Sequence, residues 1–341
     1  MPHNFDAALL IGRFQPFHLG HAALLQKALE LAPRVVLLLG SAYQAPSPRN
    51  PFTVAERIAL IRATLSPLDL GRVLFLPQRD TWDTPRWIKA TSQAVLQALP
   101  QANIVVVGHQ KESQQSYLAS FPQWSYVGVG QQGEFNATAI RQALFSGELS
   151  SLRNWLVPST LHFLETWMRS GRAEDLRAEY QALIEYQERW GKGPFVTTDA
   201  IVECAGHVLA IRRGRRPGLG LMALPGGFLE PQESFLEGAL RELDEETGLK
   251  IPISMAQSAT FHLFAHPGRS LRARIITQAY HFRLPFDTLP QVKGADDAQE
   301  AFWLPIASLR NYEEEFFEDH AHILDHFLHY PKEELGSNNC F

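Results

Sequence analysis

The sequence has almost no cysteine, only Cys204 and Cys340 in 341 residues. Two such residues make neither a disulfide framework nor a metal-binding pattern, which fits a reducing cytosol. Long hydrophobic runs are missing too. No apolar stretch reaches the ~20 residues of a membrane-spanning helix, so no membrane association is expected. Met1 to Asp6 is polar and the apolar run behind it is short, so no signal peptide is expected and a cytoplasmic location is. Positive charge is not in excess either. A formal net charge of -5 argues against nucleic acid as the main partner, while leaving room for local basic pockets that hold phosphates. What remains is an ordinary globular composition, 45% hydrophobic and 20% charged, in a chain long enough for two domains with separate cores. Repeats and low-complexity tracts are absent, and a homo-oligomer is compatible with all of this.

The most informative run is GFLEPQESFLEGALRELDEETGL, Gly227 to Leu249. Its spacing predicts a helix from about Ser234 to Thr247, with Leu236, Ala239, Leu240 and Leu243 on one apolar stripe. Glu242, Glu245 and Glu246 then stand at i, i+3 and i+4 on another face. Like charges at that spacing cost an isolated helix only ~0.2–0.5 kcal/mol per pair, so an acidic face alone can be plain solvated surface. The flanks point further. Gly226-Gly227 permits a tight approach before the helix, Gly248 suits a left-handed residue after it, and Arg241 can hold carboxylates with its planar fork. Clustered carboxylate oxygens near a phosphate suit Mg²⁺ or Mn²⁺. The run resembles the Nudix box at every position. The lead-in from Gly220 to Phe228 resembles that of Nudix enzymes acting on ADP-ribose, with Met222 where those proteins often have Trp.

In the first half, Ala7 to Ile11 reads as a buried strand running into GRFQPFHLGH, Gly12 to His21, and then a helix to about Leu31. Strand, glycine-containing loop and helix offer a phosphate free backbone N–H groups and the positive helix end. His18 and His21 would stand at that end and donate to phosphate oxygens. A metal pair or two surface histidines are the plainer readings. Val35 to Leu39, Val73 to Leu76 and Ile104 to Val107 read as further all-apolar strands, as in a parallel sheet covered on both faces. The stretch Arg79 to Trp87 carries Trp82 and Trp87, either of which could stack on a cationic ring, though Trp87 begins a helix and could equally be core.

The segment GRFQPFHLGH resembles the signature of nicotinamide-mononucleotide (NMN) adenylyltransferases. Asn50-Pro51-Phe52-Thr53 with Glu56-Arg57 resembles archaeal-type members, and Gly108-His109-Gln110-Lys111-Glu112-Ser113 resembles the stretch beside the nucleotide. Asn136 to Arg141 resembles a second phosphate motif, with Ala137 at a usually polar or glycine position. The whole resembles fused NMN adenylyltransferase/Nudix hydrolases. That resemblance implies a doubly wound, Rossmann-like α/β nucleotidyltransferase domain over 1–170, a helical linker over 171–194, and an α+β Nudix fold with a mixed sheet over 195–341. It implies ATP, NMN or NAD, and ADP-ribose as partners. It implies His18, His21, Arg141 and Glu245 as catalytic residues, with Arg141 on the ATP phosphates. Gly12, Arg13, Phe14, Arg57, Trp82, Trp87, Gly108, His109, Thr138, Arg212 and Gly227 would contact substrate, Thr138 also capping its helix. Glu242, Glu245 and Glu246 would hold metal, with Glu230 as a further candidate.

Smaller features stay open. The basic segment Arg212 to Arg216 reads either as a phosphate clamp or as a solvated loop. Asp296, Asp297 and Glu300 are candidates for a general base, or loop charges. Glu313 to Tyr330 reads as one amphipathic helix whose histidines, among them His320, are surface or packing residues. The rival functions are an adenylyltransferase for phosphopantetheine or flavin mononucleotide, and an ADP-ribose-sensing regulator. The regulator expects lost box glutamates and a basic helix-turn-helix, and the sequence has neither.

Overall fold

The computed structural model describes residues 4–109, 120–130 and 136–330. It separates into two compact units, with the division after Arg177. The first unit contains β1 (Ala7–Gly12), α1 (Leu19–Leu31), β2 (Arg34–Leu39), α2 (Val54–Arg62), α3 (Pro67–Leu70), β3 (Val73–Pro77), α4 (Thr84–Ala98), β4 (Ile104–His109), β5 (Ser125–Val129), α5 (Ala137–Ser146) and α6 (Pro158–Trp167). α7 (Gly171–Trp190) is one continuous helix, and the division falls inside it. The second unit continues with β6 (Phe195–Cys204), β7 (His207–Arg213), β8 (Met222–Ala223), β9 (Gly226–Phe228), α8 (Phe235–Thr247), α9 (Ile253–Ala256), β10 (Thr260–Phe264), β11 (Ile275–Leu284), β12 (Ala298–Pro305) and α10 (His320–Leu328).

In the first unit the sheet runs β3-β2-β1-β4-β5 with every pair parallel. Its strands are apolar at nearly every position because both faces are covered. Ala8, Leu10, Leu37 and Val105 pack with Leu24, Leu25 and Ala28 of α1, whereas Ala7, Leu9, Val36 and Val106 pack with Val95 of α4. The strand order reverses between β1 and β4. In such sheets the crevice beyond the strand ends at the reversal is where ligands sit, so chain order alone brings Gly12 and His109 to one place.

The second unit is a mixed sheet, β10-β11-β6-β7-β12, with β8 on β7 and β9 on β6; only β11 and β6 are parallel. One face packs Ala200, Val202, Leu209 and Phe282 against Ala239 and Leu243 of α8. The other packs Ile201, Val208 and Ala279 against Ile323 and Leu324 of α10. Full burial of a side chain such as Leu243 contributes about 1.5–3 kcal/mol, and that burial fixes which face of α8 is left for the glutamates.

Two expectations change here. Residues 306–315 form a 3-10 segment, so the last helix starts at His320 rather than Glu313, with buried Leu309 and Glu313 anchoring the tighter turns. The parallel edge strand β5, absent from the expected strands, is short and only partly buried, and Ser125 and Gly128 interrupt its apolar pattern. No helix among the described residues is long and apolar enough to cross a membrane.

Candidate active sites

In the first unit the chain leaves β1 at Gly12, whose missing Cβ leaves room for the Phe14 ring; a Cβ would stand 3.0 Å from it. Gln15 ties this loop to the segment before α2, donating to the Phe52 carbonyl at 2.8 Å and accepting from its N–H at 3.0 Å. His18 caps α1. Its Nδ1 accepts from Gly20 N–H at 3.1 Å, and His18 N–H donates to Nδ1 of His21 at 3.4 Å. This is a capping box built from two histidines, with the rings stacked at 3.7 Å between centroids. Because each Nδ1 accepts a backbone N–H, each neutral ring carries its proton on Nε2.

Burial, then His109, then Arg141 push His18 down to about 4. Burial, His18 and His109 hold His21 well below its ordinary value, opposed by a hydrogen bond to the Pro16 carbonyl. Near neutral pH both rings are therefore uncharged donors. Positive charge comes from arginines. Arg141 is buried and is pushed down to about 10 by burial and by the nearby charges of Arg13 and Arg49. Guanidiniums gathered around Arg141 are chemically suited to hold phosphate oxygens. Arg49 was missed in the sequence, although it lies one residue before the Asn50 motif.

Other expected residues take different places. Arg57 is 1% exposed and donates to the carbonyls of Arg13 (2.9 Å), Gly40 (2.7 Å) and Ser41 (3.3 Å). It braces the ends of β1 and β2 from beneath and does not line an open surface as a substrate contact. Asn136, not Thr138, caps α5: its Oδ1 accepts from Thr138 N–H at 2.8 Å, while Thr138 Oγ1 accepts from Arg141 at 3.1 Å. Arg141 also donates to the Gln15 carbonyl at 2.8 Å, joining both motifs. Trp87 packs edge-on to Phe121 at 6.0 Å as part of the core, whereas Trp82 is half-buried in the loop before α4. His109 ends β4, its carbonyl accepting from Tyr126 at 2.7 Å. Gln110 to Ser113 of the same motif lie outside the described residues. Asp80 was also missed. It accepts from Ser41 N–H (3.1 Å), Ser41 Oγ (2.6 Å) and Gln44 (3.3 Å), tying together the loops that follow β2 and β3.

In the second unit Ser234 caps α8 in a capping box with Glu237, and Gly248 ends it at φ 70°. Arg241 is the hub. It makes a forked pair with Glu233 (3.0 and 2.7 Å), reaches the Phe228 carbonyl at 3.0 Å, and donates from one Nη1 to both Glu242 and Glu245 at 2.9 Å. Glu246, 4% exposed, accepts from Gly226 N–H at 2.9 Å. A Cβ on Gly227 would overlap the Glu242 carboxylate, and one on Gly226 would overlap the Thr198 carbonyl and Asp199. The glycine pair thus lets β9 lie directly on the acidic face. Burial raises Glu242, and burial raises Glu246 to about 8 against the opposing Gly226 N–H.

Among the described residues no three His, Cys, Asp or Glu side chains stand ready-arranged around a metal. Arg241 takes up oxygens of Glu242 and Glu245, and Gly226 one of Glu246. The donor set nevertheless fits a hard divalent ion, because it consists of carboxylate oxygens, two of them on side chains whose charge burial opposes. Glu230 is exposed and outside this group.

The basic segment is knit into its own unit. Arg212 donates to the Gly220 carbonyl at 2.8 Å and stands over Phe302, Arg213 donates to the Pro217 carbonyl at 3.0 Å, Arg215 pairs with Asp297, and Arg216 pairs with Glu179 at 2.6 Å. Among the base candidates, Asp297 is tied to Arg215 and Glu300 lies 3.7 Å from Arg212. His320, read as surface or packing, is buried and accepts from Leu224 N–H at 2.9 Å.

With both sites described, comparison with known proteins is direct. A Cytidylyltransferase-like family model matches residues 9–117 and a NUDIX domain model matches residues 194–327. The nicotinamide/nicotinic acid mononucleotide adenylyltransferase of Acinetobacter baylyi is 31% identical over 182 residues, 53% of this chain and 96% of that protein. The ADP-ribose pyrophosphatase of Methanocaldococcus jannaschii is 34% identical over 117 residues, 34% of this chain and 64% of that protein. A crystal structure of a bifunctional NMN adenylyltransferase/ADP ribose pyrophosphatase from Francisella tularensis superposes with a TM-score of 0.88 at 34% identity, covering 95% of this chain and 99% of that one. A second structure of that enzyme, complexed with AMP and a Mn ion, matches at 33% identity with a TM-score of 0.88.

Proposed function

The chain belongs to the family of bifunctional NMN adenylyltransferase/ADP-ribose pyrophosphatases, and from that premise we propose that it makes NAD in its first unit and cleaves ADP-ribose in its second. We assign the transferase to residues 1–170 and the hydrolase to 195–341, joined by 171–194. The reading rests on one observation: a cationic cradle and a carboxylate face, each built for linked phosphates, occur in one chain.

In the first reaction a phosphate oxygen of NMN attacks the α-phosphorus of ATP in line, forming the new P–O bond as pyrophosphate departs with the old one. No protein nucleophile is needed, so catalysis is positioning and charge stabilisation. Arg13, Arg49 and Arg141 hold the phosphates, and Arg57 and Gln15 fix the loops that carry them. His18 supplies a neutral N–H donor at the helix end, and His21, bonded to the Pro16 carbonyl, holds the His18 backbone in place. Trp82 is the remaining candidate to stack on the nicotinamide ring, since Trp87 is committed to packing.

In the second reaction water adds to one phosphorus of the ADP-ribose diphosphate, the P–O–P bridge breaks, and AMP and ribose 5-phosphate leave. Glu242, Glu245 and Glu246 would hold a divalent ion, Mg²⁺ by preference with Mn²⁺ accepted. When bound, such an ion neutralises diphosphate charge and lowers the pKa of bound water. Arg241 holds Glu242 and Glu245 on one side of α8, and the glycine pair lets β9 lie close against that face.

The test is a product assay on the full chain with Mg²⁺. NMN and ATP should give NAD and pyrophosphate, and ADP-ribose should give AMP. A parallel arm with nicotinic acid mononucleotide decides which base form is preferred. Absence of NAD, or intact ADP-ribose in either metal, sinks the corresponding half of the reading.

A further inference from the structure

Behind the glycine pair lies a buried polar layer that the hydrolytic reading does not use. Leu224 stands between Ala223, which ends β8, and Pro225, which has no N–H. Its amide donates into a side chain, Nδ1 of His320, at 2.9 Å in a buried bond. One residue on, the Pro225 carbonyl accepts from Ala200 N–H at 2.8 Å, and the following amide, Gly226, holds Glu246 at 2.9 Å. The imidazole therefore fixes the chain two residues before the amide that fixes the acidic face.

His320 is itself held tightly. Asp319 before it receives both arms of Arg269 at 2.9 and 2.8 Å. Glu318 accepts from Ser270 Oγ (2.6 Å), Leu271 N–H (3.0 Å) and Arg272 (3.0 Å), while its backbone stands at φ 46°, a left-handed conformation that costs energy outside glycine. Phe317 N–H donates to the Met222 carbonyl at 2.8 Å, so this segment grips both ends of the Met222–Leu224 stretch. Such over-determination is what a site needs when its first contacts must not drift.

We propose that His320 is a positioning residue for the hydrolase. Its ring nitrogen sets how deeply the Leu224–Gly227 segment lies against α8, and so where the Glu246 and Glu242 carboxylates stand. The inference rests on the hydrolytic reading of this unit. The acceptor role requires an unprotonated Nδ1, and burial together with Arg269, Arg213 and Arg272 holds the ring well below its ordinary value.

Two variants test it. His320→Phe keeps a planar ring without an acceptor, and His320→Asn places Oδ1 where Nδ1 stands. Amide hydrogen exchange over Leu224–Gly227 should accelerate at least about tenfold in His320→Phe and stay near wild type in His320→Asn. ADP-ribose cleavage by His320→Phe should fall about 10–100-fold in kcat, with a matching rise in the Mg²⁺ needed for half-activation and a smaller Mg²⁺-induced rise in melting temperature without substrate. NAD synthesis on the same chain should change by less than about twofold, which certifies the preparation. Unchanged exchange and cleavage in His320→Phe would overturn the proposal. So would an Asn variant as impaired as the Phe one. If His320→Phe does not fold, His320→Asn decides alone, retained protection and activity being required. Should wild type fail to cleave ADP-ribose, the functional reading falls while the exchange measurement still judges the positioning claim.

Discussion

The two sites solve one problem, holding linked phosphates, with opposite charge. The first gathers cations: Arg13 and Arg49 stand close enough to Arg141 to lower it beyond what burial does, with neutral His18 and His21 nearby. The second offers carboxylates, Glu242 and Glu246, whose charge burial opposes and a divalent cation would favour. The difference follows from position. In the proposed reading the N-terminus of helix α1, capped by His18, faces the phosphates, where the dipole favours an anion. Helix α8 presents its side, which has no such field, so under the proposed hydrolytic reading a divalent ion would bring the phosphate to the glutamates. A fixed cradle suits a reaction in which pyrophosphate must leave again, and a metal-bridged face suits one in which water must be activated.

Substitutions that silence one site and spare the other break this comparison most sharply. His21→Ala should reduce NAD synthesis by about 10³-fold while ADP-ribose cleavage persists, and Glu245→Gln should do the reverse, read by product assays on one preparation. Loss of both activities in either variant would count against independent sites. Gly227→Ala should cost hydrolysis about 10–100-fold, because the added methyl occupies the Glu242 carboxylate's place, with transfer unchanged.

Proton linkage separates the sites by sign. Glu246 is raised to about 8 in the fold, so without metal its cost to stability grows as pH rises from about 4.5 through 8. Metal-free Glu246→Gln should therefore match wild type in melting temperature near pH 5 and exceed it by a few °C near pH 9. His18, lowered to about 4, works the other way. Its neutral form supports the fold above about pH 6.5, and that support is lost as pH falls through 4. The rate of adenylyl transfer should show no inflection from this histidine between pH 6 and 8. The smallest effect belongs to Arg215→Ala: its exposed pair with Asp297 should contribute under about 1 kcal/mol, and both activities should stay within about twofold.

Much of this was legible in the chain. All-apolar strands announced a sheet buried on both faces, and the spacing of Glu242, Glu245 and Glu246 put them on one helical face. Other parts were not. Arg57 looked like a substrate contact because a charged residue in a functional motif suggests one, yet four backbone carbonyls hold it in the interior. Thr138 looked like a cap until Asn136, two residues earlier, took the role. The Arg212 to Arg216 run lost its clamp reading to Asp297, Glu179 and carbonyls that sequence separation hides.

Local order, then, settled most element types and the family, because hydrophobic period and motif spacing act over a few residues. Tertiary packing alone decided which carboxylates and carbonyls the arginines bind, which histidines stay neutral, and that His320 accepts from Leu224. Those outcomes depend on burial and on partners tens of residues away, and desolvation is a property of the folded surroundings.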